Sequence, residues 1–341
     1  MKQKLGFLGK AVLFVAVFCL VMSPVQAVLA RKSLEPPWDM TNKVGGFYNE
    51  PEEEFEVMFF GSSHAYAAFS PLKLWQETGV KSYVFATQQQ PLWATYFYLR
   101  EALKTQSPSL VVVECNMAMD DREHFDDGVT YSYMDELPLS WNKARLAWVS
   151  ASDLEGRTEL LLNIFKYHGR WSQLTEEDWE FDRSAVRDPY KGYVLLPEQA
   201  AAQTRPEIEG VTQTRPLTEK NEHWLREIMD LCSQRGIRLW LVKSPSNVTP
   251  AGKQALNAVA ALAEQAGVTF TDFNEDYAVM GLTEQDFYDA SHLDGQGAAR
   301  FTAYFGAQLM ERYPDLPRAP EDPDWAADLA RYLAALEPKT E

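Results

Sequence analysis

Apolar and polar positions fall into three regimes along the chain. The first is a nearly unbroken apolar run from Ala11 to Ala30, interrupted only by Ser23, Pro24 and Gln26. About 20 apolar residues cross a bilayer as a helix, so residues 1–32 read as a single-pass membrane anchor. Lys2, Lys4 and Lys10 before the run and Arg31 and Lys32 after it orient it only weakly under the positive-inside rule. The alternative is a cleaved secretory signal, with Val25-Gln26-Ala27 as its small-residue site. Both readings put the remainder of the chain outside the cytoplasm.

The second regime alternates short apolar runs with amphipathic stretches. Val57-Met58-Phe59-Phe60, Tyr83-Val84-Phe85-Ala86, Leu110-Val111-Val112-Val113, Leu239-Trp240-Leu241-Val242 and Val268-Thr269-Phe270 read as strands. The third is clearest, because its β-branched residues are uninterrupted. Helices are predicted after Pro91 (Leu92, Tyr96, Leu99, Leu103) and across 218–236 (Trp224, Leu225, Ile228, Leu231, closed by Gly236). Two more are predicted over Leu256–Ala266 and around Phe301–Leu309. Five strands alternating with helices predict an α/β fold, a parallel sheet covered on both faces through right-handed crossovers.

The third regime breaks this alternation. Residues 33–54, with Pro36, Pro37, Gly45, Gly46 and Pro51, read as a linker. Residues 117–215 read as a mostly helical, aromatic-rich insertion within a domain spanning 55–316. Its Trp141, Trp148, Trp171 and Trp179 are expected in the core rather than as platforms for sugars. Residues 317–341 read as a Pro- and Asp-rich tail with one short helix around Trp325–Leu336.

Composition narrows the function classes. The 341 residues are 46% hydrophobic and 13% aromatic, which excludes intrinsic disorder. The formal charge is −17, and beyond residue 32 it is −22, with 27 cations against 49 acids. That field excludes binding of a nucleic-acid backbone through bulk charge. Cys19, Cys115 and Cys232 cannot build a disulfide framework, and no C-x-x-C pair suggests zinc or thiol redox chemistry. Neither a metal nor a cofactor is expected, and so few cysteines suit a bacterial envelope protein.

In a parallel sheet, ligands gather at the carboxyl ends of strands. The first strand runs into Gly61-Ser62-Ser63-His64. A serine on a tight Gly-containing turn can present its hydroxyl to solvent while its N–H points at a substrate oxygen. Such a turn alone is more often merely structural. Far downstream, Asp289-Ala290-Ser291-His292 offers an imidazole to accept a serine proton and a carboxylate to orient it. Taken alone, the pair reads more readily as Asp289 capping a helix starting near Gly295, with His292 on the surface. His64 could touch substrate, although adjacent side chains at a strand end normally diverge. Lys243, after the fourth strand, could meet an anionic polymer or be a solvated loop lysine. Asp120, Asp121, His124, Asp126 and Asp127 have a hard-metal composition without ordered ligand spacing and read as a solvated loop. His168 and His223 read as ordinary helix residues.

Together, the G-x-S block at the first strand end and the D-x-x-H block before the last helix resemble the SGNH (GDSL-type) hydrolase superfamily. Within it the match looks closest to the envelope acyltransfer branch, which includes the teichoic acid D-alanine transfer protein and the alginate O-acetylation proteins. FFGSSHAYAAFSP, SYVFATQQQP, GIRLWLVKSPS and FYDASHLDGQGAARFT carry the resemblance, within residues 55–116 and 218–312. It implies a three-layer αβα, flavodoxin-like fold, with Ser63 as nucleophile, Ser62 competing for that role, His292 as base and Asp289 as its partner. It also implies an oxyanion hole built from a Gly after the second strand and an Asn after the third. Ala86 stands at the first position and Asn116 at the second, with Gln90 as an alternative amide donor or a helix cap. This departure weakens an esterase more than a transferase.

The implied function is an extracytoplasmic O-acyltransferase that moves a small acyl group, acetyl or similar, through an acyl-serine. The acyl donor and an envelope polysaccharide acceptor are its substrates, and a multi-spanning membrane O-acyltransferase is the implied partner. A secreted carbohydrate esterase and a non-catalytic partner of a membrane enzyme are the alternatives.

Overall fold

Each predicted apolar run forms a strand in the computed structural model, which describes residues 2–198 and 205–337; the side chains at 2–8, 11, 12, 15, 16 and 19 lie outside that description. β1 (Val57–Gly61), β2 (Ser82–Ala86), β3 (Leu110–Glu114), β4 (Arg238–Lys243) and β5 (Thr269–Asp272) pair in parallel in the order β2-β1-β3-β4-β5. The register sets Gly61 beside Ala86, Phe60 beside Val113 and Glu114 beside Val242. This is the order of flavodoxin-like doubly wound sheets, whose strand direction of travel reverses between β1 and β3. The loops leaving those two strands therefore diverge, and a crevice opens between them.

Thirteen α-helices are described: α1 (Lys2–Leu29), α2 (Ser63–Tyr66), α3 (Pro71–Thr78), α4 (Leu92–Ala102), α5 (Asp127–Met134), α6 (Trp141–Ser150), α7 (Leu154–Leu161), α8 (Asn163–Tyr167), α9 (Glu176–Glu180), α10 (Glu219–Arg235), α11 (Pro250–Gln265), α12 (Gly295–Arg312) and α13 (Pro323–Leu336). Alternate strand residues point to opposite faces of the sheet. Phe59 and Trp240 meet Phe305 of α12 at ring separations of 5.7 and 4.8 Å. Phe60 instead meets Phe85, which packs on Tyr98 of α4 at 4.7 Å. α12 lies against α3, and α10 lies against α4, so helices cover both faces.

Two sequence expectations change here. Residues 33–54 are packed rather than a free linker: Val44 and Phe47 are buried, and Phe47 stacks on Phe85 at 4.2 Å. Lys43 is buried there with Asp39 and Asp188, at 3.3 and 3.5 Å. The insertion's Trp141, Trp148, Trp171 and Trp179 are exposed, not core. Its helices are short, so their apolar stripes find too little neighbouring surface to bury a large ring. The segment returning from the insertion covers the β2 edge, where Val84 N–H donates to the Lys191 carbonyl at 2.9 Å. Gly192 permits that approach, since a Cβ there would lie 1.8 Å from the Val84 oxygen.

The last turn of α1 rests on the insertion. Arg170 donates to the carbonyls of Leu29 and Ala30 at 2.7 and 2.8 Å, and Lys32 donates to Val28 O and Asp178, both at 2.9 Å. Among the described residues no helix is long and apolar enough to cross a membrane. Within the expected anchor, the side chains at 2–8, 11, 12, 15, 16 and 19 lie outside the description.

Candidate active site

The site begins where β1 must turn sharply beside β3. Gly61 adopts φ +145°, and a Cβ there would sit 3.0 Å from both the Cβ and the carbonyl oxygen of Glu114. Ser62 follows as the N-cap of α2, its Oγ accepting from His64 N–H at 3.4 Å. Both serines line the cavity, but that cap engages the Ser62 hydroxyl, whereas the imidazole meets Ser63. The Ser63 hydroxyl lies 2.8 Å from His292 Nε2.

His292 and Asp289 sit in a loop closed by an isolated bridge between Phe287 and Leu293 and by Tyr288 N–H donating to the His292 carbonyl at 2.9 Å. His292 Nδ1 lies 2.9 and 3.0 Å from the two Asp289 oxygens. Asp289 also accepts from the backbone N–H of Ser291 at 2.7 Å and of His292 at 2.9 Å. Burial alone would raise the Asp289 pKa, but His292 and these two N–H groups hold it below the usual carboxylate range. The capping alternative falls to a neighbour, because Asp294 caps α12 and accepts from Gly297 N–H at 2.8 Å. Asp289 is thereby free for the imidazole.

Ser63 and His292 open onto a cavity of about 1260 Å³, also lined by His64, Asn116, Gln88 and Gln89. Trp38, Tyr66, Tyr131, Tyr167 and Tyr288 supply aromatic surface to its wall. Lys32 and Arg170, on the same wall, both pair with Asp178, at 2.9 and 3.1 Å. Tyr66 stands against Ser63, and burial pushes its phenol pKa up, so its hydroxyl stays protonated.

The other candidates separate. Ala86 is buried and does not reach the cavity wall, because Gly61 and its neighbours cover the end of β2. Gln90 is fully buried; it accepts from Thr87 Oγ1 and donates to Thr95 Oγ1, both at 3.1 Å, which exhausts its reach toward the site. Lys243 is not at a solvent mouth. It lies beneath the site with no exposure, 3.1 Å from Glu114 Oε1. Asn116 does line the cavity, and its backbone N–H donates to Glu114 Oε2 at 3.0 Å.

The acidic stretch is tied up locally. Asp120 pairs with Arg122, Asp121 pairs with Arg215, and Asp126 caps α5. Among the described residues no group of three His, Cys, Asp or Glu side chains is arranged to hold a metal. His168 is exposed, and His223 stacks edgewise on Trp224. Sequence reasoning missed Tyr66, Trp38 and Glu114. Only Glu114 left a signal, as a charge closing an otherwise apolar strand.

No protein-family profile matches the chain, and no curated protein matches it. Among solved structures it is similar to a Bacteroides fragilis protein provisionally described as an acylhydrolase, at 11% identity and a TM-score of 0.36. The similarity covers 78% of this chain and 94% of that one.

Proposed function

We propose that this chain is an extracytoplasmic serine acyltransferase that passes a small acyl group through Ser63 to a hydroxyl of an envelope saccharide. The observation that carries this reading is the hydrogen-bonded series Ser63–His292–Asp289 on the wall of one large cavity. Ser63 Oγ attacks the donor carbonyl while its proton passes to His292 Nε2. Asp289 stabilises the imidazolium that forms. Collapse of the tetrahedral intermediate breaks the bond to the leaving group, which departs with that proton and leaves acyl-Ser63. An acceptor hydroxyl then gives its proton to His292 and attacks the acyl carbon, and the bond to Ser63 breaks as Oγ takes that proton back from His292.

The cavity is far larger than an acetyl ester requires. Its tyrosine and tryptophan faces, interleaved with Glu35, Asp135 and Glu177, suit flat sugar rings and their hydroxyls. The apolar run at 11–30 supports a membrane anchor, and Arg31 and Lys32 at its end line the same cavity. Exposed Trp171 and Trp179, in edge contact at 6.3 Å, flank the residues that hold the end of α1. Tryptophans in that position suit a bilayer–water interface, within reach of an acyl group handed over by a multi-spanning membrane enzyme.

A second reading, hydrolysis of a carbohydrate ester, is favoured by the Asp289 side chain, which is 46% exposed and therefore open to water. The test is the full chain in detergent with an activated acetyl ester and graded concentrations of an oligosaccharide acceptor. Acetyl-oligosaccharide rising at the expense of acetate supports transfer, and acetate alone supports the esterase. In cells, envelope acylation that persists with Ser63→Ala would leave the non-catalytic partner.

A further inference from the structure

We propose that His64 is a second hydrogen-bond donor to the substrate oxygen, a neutral imidazole whose proton Lys243 confines to Nε2; this rests on the reading of Ser63 as nucleophile. Lys243 is fully buried, and an ammonium has three N–H donors and no acceptor. Its Nζ lies 3.1 Å from Glu114 Oε1, 2.8 Å from the Ser244 carbonyl and 3.4 Å from His64 Nδ1. The carboxylate and the carbonyl take two donors, and the third meets Nδ1, which must therefore accept. A neutral imidazole accepting at Nδ1 carries its proton on Nε2. A second proton would set two donors against each other. Burial first, then the charges of Lys243 and His292, hold the His64 pKa well below its ordinary value.

On the other side of the ring, Nε2 has no partner among the described residues. The ring lines the same cavity as Ser63, with its centroid 5.0 Å from that of His292. His64 thus brings a fixed N–H to the reacting carbonyl, where Ala86 brings none. Glu114 ties this donor to the other one. Its Oε1 also accepts from Ser244 Oγ at 3.2 Å, and its Oε2 takes the backbone N–H of Asn116. One buried carboxylate positions both the His64 ring, through Lys243, and the Asn116 loop. Glu114 and Lys243 are positioning residues, while His64 itself would touch the developing oxyanion.

The experiment combines ¹⁵N-histidine spectra of the full chain with kinetics on an activated acetyl ester. Expected is a His64 signal with Nδ1 unprotonated and Nε2 protonated throughout the range of about pH 5 to 8 in which an ordinary histidine titrates. His64→Leu lowers kcat by about 10²–10³-fold with little change in KM, the size of effect seen when one oxyanion donor is lost. His64→Gln, whose amide places an N–H near the Nε2 position, recovers most of that loss. A His64 that titrates in this range overturns the proposal. So does a His64→Leu enzyme with unchanged kcat, or one altered in KM alone. Ser63→Ala in the same assay separates the two readings: residual activity there would sink the nucleophile assignment, while the spectra still report the tautomer. The wild-type spectra also decide the tautomer if His64→Leu fails to fold.

Discussion

His292 Nε2 lies 2.8 Å from Ser63 Oγ although 229 positions separate them in the chain. A contact that close between the end of the first strand and the loop before α12 needs the whole sheet to be assembled. Disruption of either partner should therefore register in reactivity long before it registers in stability. Ser63→Ala and His292→Ala are expected to lower kcat by about 10⁴–10⁶-fold, and Asp289→Asn by about 10²–10⁴-fold, because a half-exposed carboxylate is partly replaced by water. Labelling by a fluorophosphonate, read as intact mass and modified peptide, checks the assignment; an adduct on Ser62 would overturn it.

Gly61 is the backbone condition for that contact. Gly61→Ala places a methyl 3.0 Å from the Glu114 carbonyl at a φ that L-residues rarely adopt. The expected cost is about 2–4 kcal/mol in urea unfolding. The variant should also lose fluorophosphonate labelling, since Ser62 and Ser63 follow directly.

Glu114 neutralises a lysine that has no other carboxylate partner among the described residues. Glu114→Ala leaves the buried Lys243 charge uncompensated and is expected to destabilise the fold by about 3–5 kcal/mol. Adding Lys243→Met should recover a substantial part of that loss. A double variant no more stable than Glu114→Ala alone would count against the pair as the cause.

The depressed His64 pKa makes stability depend on pH in a definite direction. Below about pH 6.5 the unfolded chain takes up a proton at His64 that the folded chain refuses. The unfolded state then binds more protons, so stability rises with pH and falls on acidification, with a slope of up to about 1.4 kcal/mol per pH unit from this group. His64→Gln should remove that slope between about pH 5 and 6.5. Parallel stability–pH curves for the two proteins would contradict it.

Trp171 and Trp179 are exposed and flank the end of α1. Replacing both with alanine should change stability by no more than about 0.5 kcal/mol each. In anionic phospholipid vesicles holding the full chain, brominated lipids should quench the wild-type tryptophan emission more than that of the double variant. Equal quenching would place these rings away from the bilayer interface.

Much of this architecture is legible in the sequence itself. Runs such as Leu110–Val113 declare a buried strand through their own composition, and Gly236 ends α10 through its backbone freedom, with φ +68°. The D-x-x-H pair was legible too, since Asp289 and His292 lie within one loop and need no long-range contact to meet. Tertiary structure alone decided the fate of the charged and amide side chains. Lys243 carries the same charge as any surface lysine, and only the β3–β4 pairing puts Glu114 beside Val242 and so buries the lysine against it. Gln90 turns inward because Thr87 and Thr95 meet it there, and Phe47 leaves an apparent linker because Phe85 offers it a face. Periodicity and turn chemistry act between chain neighbours and can be read from the sequence. The burial of a polar group depends on which strands become neighbours, and that is known only once the sheet is assembled.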